Sequence, residues 1–93
     1  LYVCIDTGHL NVFSKLSIDH WWKRLGKRVI ALHLHDNDGF SDDHLPPGRG
    51  TFNFERLGEL LSDCSELPFL DLEIDLDVAV SGRDYLARLW KDI

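Results

Sequence analysis

The sequence predicts an α/β fold, a parallel sheet covered by helices, and three observations carry that prediction. Three apolar runs of strand length, about residues 1–6, 28–35 and 67–74, are each followed by a polar or glycine-containing loop and then a helical pattern. One alternating face of these runs, the one expected under the helices, is wholly aliphatic: Leu1, Val3 and Ile5; Ile30, Leu32 and Leu34; Leu70, Leu72 and Ile74. A closed barrel of eight strand–helix units spends about 31 residues on each, and 93 residues divide into three such units. The expected fold is therefore three consecutive units of a (β/α)8 barrel, with residues 1–93 forming one partial domain.

Each element has a local reason. The first strand ends at Asp6, and Asp6-Thr7-Gly8-His9 reads as a turn. Ile18, Trp21, Trp22 and Leu25 fall at i, i+3, i+4 and i+7, so a helix follows, capped by Ser17 and ended by Gly26. The second strand leads into a polar loop, after which Asn53 caps a helix carrying Phe54, Leu57, Leu60 and Leu61. Beyond the third strand, Tyr85, Leu86, Leu89, Trp90 and Ile93 predict a helix opened by Ser81 or Gly82.

Bulk properties exclude several classes. No apolar run approaches the roughly 20 residues of a membrane span, and no signal peptide opens the chain. Net charge is −6 with pI near 5.1, which argues against a nonspecific nucleic-acid surface. Cys4 and Cys64 lack the spacing of a metal knuckle and predict reduced thiols in a cytoplasmic protein. The chain starts at Leu1, inside an apolar run, and contains no methionine, so truncation at the N-terminus is expected.

The second face of the strands carries the chemistry. It holds Tyr2, Cys4 and Asp6; Val29, Ala31, His33 and His35; and Phe69, Asp71 and Glu73, and grows polar toward each C-terminal end. Barrels build active sites at that end. Asp6, His33 and Glu73 thus bring one ligand-type side chain from each strand, a set that suits a divalent metal such as Zn, Mn, Co or Fe. A buried network of histidine–carboxylate hydrogen bonds is the competing reading of the same residues. Asp42 and His44, two apart, suit a shared metal, whereas Asp36 and Asp38 suit either a solvated acidic loop or hydrogen bonds to the loop backbone. In Pro46-Pro47-Gly48-Arg49-Gly50 the prolines stiffen the loop and the glycines permit positive φ or close approach. Arg49 suits a phosphate or carboxylate, and equally a solvated loop. Asp71 sits deep for a charged residue and gains no role from the sequence. An open three-stranded sheet would leave this face and both edges uncovered, so self-association or union with the rest of a barrel is expected.

Asp6-Thr7-Gly8-His9, the run from His33 to Gly39, the run from Asp42 to Gly50, and Glu73 together resemble the xylose isomerase-like barrel superfamily, also called AP endonuclease family 2. The resemblance covers essentially the whole chain and implies its place as the C-terminal three units, strands six to eight. It implies Asp6, His33 and Glu73 as shared metal ligands, with Mg joining the metals named above, and a further carboxylate from an earlier strand. In the endonuclease branch the positions of His9, Asp42 and His44 hold a second metal; in the isomerase branch the position of His9 binds substrate oxygens. Arg49 departs from the acidic residue that many relatives carry there.

The expected function is a metal-dependent sugar or sugar-phosphate isomerase or epimerase. Glu73 and His9 are the catalytic candidates, and His9, His35 and Arg49 the substrate contacts. A nuclease-like phosphodiesterase acting at abasic DNA is the alternative, and a noncatalytic barrel fragment is the third reading. The expected partner is a small sugar, with nucleic acid and membrane disfavoured, and this segment alone is expected to be inactive.

Overall fold

A computed structural model describes residues 1–91. Strand β1 (Val3–Asp6) leads directly into helix α1 (Thr7–Phe13), followed by α2 (Ile18–Leu25) and a 3-10 turn over Gly26–Arg28. Strand β2 (Val29–Leu34), a long loop, α3 (Phe54–Ser62), β3 (Phe69–Leu72) and α4 (Leu76–Leu89) complete the order. The strands form one parallel sheet in the order β1-β2-β3, so each crossover passes through helices, as three successive units of a parallel barrel require. The predicted α/β architecture holds.

Ile5, Leu32 and Leu34 turn to the helix-covered face and meet Ile18, Phe54, Leu57 and Leu61 in the buried core. Leu32, Leu34, Phe54, Leu57 and Leu61 are all but inaccessible to solvent, each burial contributing roughly 1.5–3 kcal/mol. The Trp90 indole N–H donates to the Phe54 carbonyl at 2.8 Å, fixing the end of α4 to the start of α3.

The loop after β2 is held rather than free. Asp36 and Leu45 exchange backbone hydrogen bonds of 2.7 and 2.9 Å, and Asp38 accepts the Phe40 N–H at 2.8 Å, as its loop-bonding role predicts. The Asp36 carboxylate, fully buried, accepts from Asn37 N and Phe52 N at 2.9 Å, Gly50 N at 3.0 Å and Gly48 N at 3.1 Å. Gly48 adopts φ 94°, and a Cβ on Gly50 would fall on the Asn37 carbonyl, so the two glycines supply the positive φ and the close approach.

Four expectations change. Strand ends draw in to 3–6, 29–34 and 69–72, although Glu73 N still bonds Leu34 O at 3.1 Å. Ile30 was expected under the helices. Register slips between Val3 and Cys4, which pair with Val29 and Ala31, so Ile30 has no partner and is 57% exposed while Val29 enters the core. The expected turn at 6–9 is instead the start of α1, with the Asp6 side chain accepting His9 N as an N-cap. The last helix begins at Leu76 after Asp75, not at Ser81 or Gly82. Gly82 lies mid-helix because a Cβ there would press on Ile74 and Pro47. Ile93, assigned to that helix, lies outside the described residues.

Candidate metal centre

Asp6 closes β1 and caps α1, so its carboxylate is fixed from two directions. Oδ1 accepts His9 N at 2.9 Å and the His35 Nε2–H at 2.6 Å. His9, one turn into α1, places Nδ1 3.6 Å from Asp6 Oδ2 and Nε2 3.0 Å from Asp42 Oδ2.

Asp6, His33 and Asp71 lie side by side across the sheet in the parallel register. His33 Nδ1 stands 3.5 Å from Glu73 Oε1, and donor atoms of His33, Asp71 and Glu73 all lie within 4.8 Å of one another. Of the expected trio, His33 and Glu73 thus come together with Asp71, while Asp6 stands beside His33 and is tied to His35 and His9. Asp71 is the residue that gained no role from the sequence. Its alternation with Glu73 along one strand was the signal that could have grouped them.

Asp42 sits between histidines, Oδ2 toward His9 and Oδ1 3.5 Å from His44 Nε2. His44 Nδ1 donates to the Glu73 carbonyl at 2.8 Å, and its backbone holds φ 53°, the left-handed region that a β-carbon disfavours. The Glu73 hydrogen bond raises the His44 pKa above its ordinary value; burial opposes the rise, and the Asp42 charge adds to it. Burial pushes the Asp42 carboxyl up, but the His9 hydrogen bond with the charges of His44, His9 and His35 outweighs it and leaves the pKa lowered. Burial, then the nearby Asp6 charge, raises the Cys4 thiol.

His35, put forward for substrate contact, is fully buried against Gly8 and the His44 ring, 4.0 Å away in a parallel stack, and bonds Asp6 instead. Thr7 fastens it: its hydroxyl donates to the His35 carbonyl at 2.7 Å and accepts the His35 N–H at 3.1 Å. Asn37, fully buried and unremarked in the sequence, donates to Gly8 O at 2.9 Å and accepts from Asn11 at 2.7 Å, locking the loop to α1. Arg49 is exposed on the Asp36-held loop. A cleft of about 1060 Å³ lies at the opposite end of the strands, lined by residues such as Tyr2, Trp22 and Pro68 and by none of the imidazoles or carboxylates named above.

The donor set fits a divalent transition-metal ion: imidazole and carboxylate groups converge at strand C-termini, and the His35 Nδ1 atom is buried without a hydrogen-bond partner among the described residues. Fold and donors together define a parallel α/β barrel segment whose C-terminal end gathers imidazole and carboxylate groups able to hold a metal ion.

The chain belongs to the xylose isomerase-like TIM barrel family, whose model matches residues 1–85. It is 35% identical over 89 residues to the uncharacterized protein y4fM of Sinorhizobium fredii, covering 92% of this chain and 28% of that one. Uncharacterized protein MJ1614 of Methanocaldococcus jannaschii is 27% identical, covering 95% of this chain and 36% of the relative. A crystal structure of a D-tagatose 3-epimerase-like protein superposes with a TM-score of 0.82 at 27% identity, covering 98% of this chain and 35% of that one. The chain therefore spans about a third of the length of these proteins. Among the described residues no helix is long and apolar enough to cross a membrane.

Proposed function

We propose that the chain supplies the C-terminal part of the active site of a divalent-metal-dependent sugar or sugar-phosphate isomerase or epimerase. The observation that carries this reading is the convergence of His33, Asp71 and Glu73 at the C-terminal end of a parallel sheet, in a family member that resembles a D-tagatose 3-epimerase-like protein. Asp6, His33 and Glu73 would hold the ion, with the other strands of the barrel adding a further carboxylate. Bound there, a divalent ion supplies Lewis acidity that stabilises negative charge developing on a substrate oxygen.

The chain's own residues do the rest. Glu73, hydrogen-bonding to no described residue through its carboxylate beyond the His33 contact, is placed to take and return a proton at the substrate carbon. His9, about half exposed, is placed to orient a substrate hydroxyl. Arg49 on its fixed loop offers a guanidinium to a phosphate or carboxylate of the substrate. The protein acts in the cytoplasm, and this segment needs the remaining strands for turnover.

A phosphodiesterase acting on abasic DNA is the second reading, favoured by Asp42 lying between His9 and His44. The basic run Lys23, Arg24, Lys27 and Arg28 counts against it, since these side chains line the cleft at the far end of the strands. The deciding experiment measures metal content after purification without chelators for the chain and its His33→Ala and Glu73→Gln variants. Metal held by the parent and lost from both variants is expected; equal metal in all three would overturn the assigned ligands. A full-length barrel carrying the same residues should then epimerise ketoses at C3 or interconvert aldoses and ketoses, and failure across a sugar and sugar-phosphate panel would leave the noncatalytic fragment.

A further inference from the structure

We propose that the cleft of about 1060 Å³ at the N-terminal end of the strands is a second ligand site, for a phosphorylated sugar, free or carrying a base. It is independent of the metal ion and the reaction assigned to the opposite end.

Charge carries the argument. The chain has a net charge of −6, yet Lys23, Arg24, Lys27 and Arg28 fall within six residues and all line this cleft. Among the described residues the arginines held in ion pairs are Arg56 and Arg83, and none of these four cations has a carboxylate partner. Lys23 and Arg24 lie in the last turn of α2, where a basic side chain complements the carbonyl end of the helix. That accounts for part of the cluster. Lys27 and Arg28 follow in the 3-10 turn, so like charges crowd one rim and repel each other until an anion joins them. Asp63 and Glu66 also line the cleft, out of ion-pair reach, and being fewer than the cations they leave it positive. Walls of low dielectric concentrate such a field. A phosphate, with its charge spread over several acceptor oxygens, matches the guanidinium forks of Arg24 and Arg28.

The second observation is an unused indole donor. The Trp21 indole N–H donates to Ser14 Oγ at 2.9 Å and that of Trp90 to the Phe54 carbonyl at 2.8 Å. Trp22, which lines the cleft, has an indole N–H with no partner among the described residues. Gly26 leaves room for that ring, since a Cβ there would come 3.0 Å from Trp22 Nε1. Leu60, Val29 and Pro68 add apolar wall, against which a carbon frame can pack, and Asp63 and Glu66 accept from hydroxyl groups. The matching ligand therefore carries phosphate at one end, hydroxyls at the other and carbon between. A bare anion would face the two carboxylates with nothing to give them, and a neutral sugar would leave the cations unmatched. The volume is that of a site for a whole small molecule rather than for one phosphate.

The test records the indole ¹H–¹⁵N cross-peaks of the 93-residue chain, labelled on tryptophan and titrated in turn with ribose 5-phosphate, AMP and inorganic phosphate. A saturable shift of the Trp22 peak is expected with the first two at submillimolar ligand. Joint Lys27→Gln and Arg28→Gln substitution, at exposed side chains, should weaken binding about tenfold or more with the parent's circular dichroism kept. Arg24→Gln, also exposed, should act in the same direction. Equal affinity for the two organic phosphates would make the sugar phosphate the ligand, and tighter AMP would add the base; both support the site. A Trp22 peak unmoved by either, an affinity untouched by these variants, or inorganic phosphate binding as tightly as both would overturn it. A single-stranded oligonucleotide that displaces AMP at lower concentration would also overturn it, in favour of nucleic acid. Metal content plays no part in these readouts, so this site and the metal centre can fail separately.

Discussion

The Asp36 carboxylate reaches across fourteen residues to accept the Gly50 N–H at 3.0 Å. With Gly48, Phe52 and Asn37 it gathers four backbone donors onto one buried side chain. This is how an acidic residue in a polar loop becomes part of the interior: the N–H groups replace the water it has lost. Replacing Asp36 with Ala leaves those donors orphaned and should cost about 3 kcal/mol or more. Gly50→Ala, whose Cβ meets the Asn37 carbonyl, should lower the same urea midpoint. A midpoint unchanged by both substitutions would refute the clamp.

Thr7 secures the other side of the site through its paired hydrogen bonds with His35. Valine has nearly the same shape but leaves the buried His35 N–H without a partner. Thr7→Val should therefore destabilise by about 1–3 kcal/mol. The His35 amide should also exchange with deuterium faster than its neighbours in the sheet.

Helices α2 and α3 are clipped by Arg56, whose Nε lies 2.6 Å from Asp19 Oδ1 and whose Nη1 lies 2.9 Å from Glu59. The Arg56 hydrogen bond lowers the Asp19 pKa from its ordinary 3.8. A depressed folded pKa gives stability that is fully present above the ordinary value and is lost as pH falls through the folded one. Asp19→Asn should flatten the acid limb of the thermal midpoint below the ordinary carboxylate value of 3.8 and leave its neutral-pH slope unchanged. Parallel acid limbs for parent and variant would rule the pair out as a contributor.

The uncovered sheet face predicts association. Phe69, two residues before Asp71 on β3, and Tyr2, at the N-terminal end of β1, are each 71% exposed, leaving aromatic surface in water. Sedimentation of the isolated chain should show concentration-dependent association that Phe69→Lys weakens at least several-fold. A parent that stays monomeric at high concentration would remove this expectation.

What the sequence reveals, and what it hides, follows from range. Periodicity exposed the three strands and α2 and α3, because residues such as Ile18 and Leu57 owe their burial to spacing along the chain. Asp6 and His33 were likewise legible as neighbours, since alternation fixes the face. The helix α1 stayed hidden because seven residues give too little periodicity, although Asp6 three residues before His9 is a capping signal. The start of α4 was masked by reading Gly82 as a boundary, when it is the point where the helix presses on Pro47. The grouping of His35 with Asp42 and His44 depends on where a pinched loop returns to the sheet, and no local pattern encodes that return.

Gly8 and His35 share one volume: a β-carbon at position 8 would overlap the imidazole ring. The two positions are thus one inherited unit. Any side chain at position 8 evicts the histidine, and with it the bond that orients Asp6, so a descendant chain can leave glycine there only after abandoning the imidazole. Gly8→Ala and His35→Ala should accordingly break the protein separately, yet together do less harm than the sum of the two.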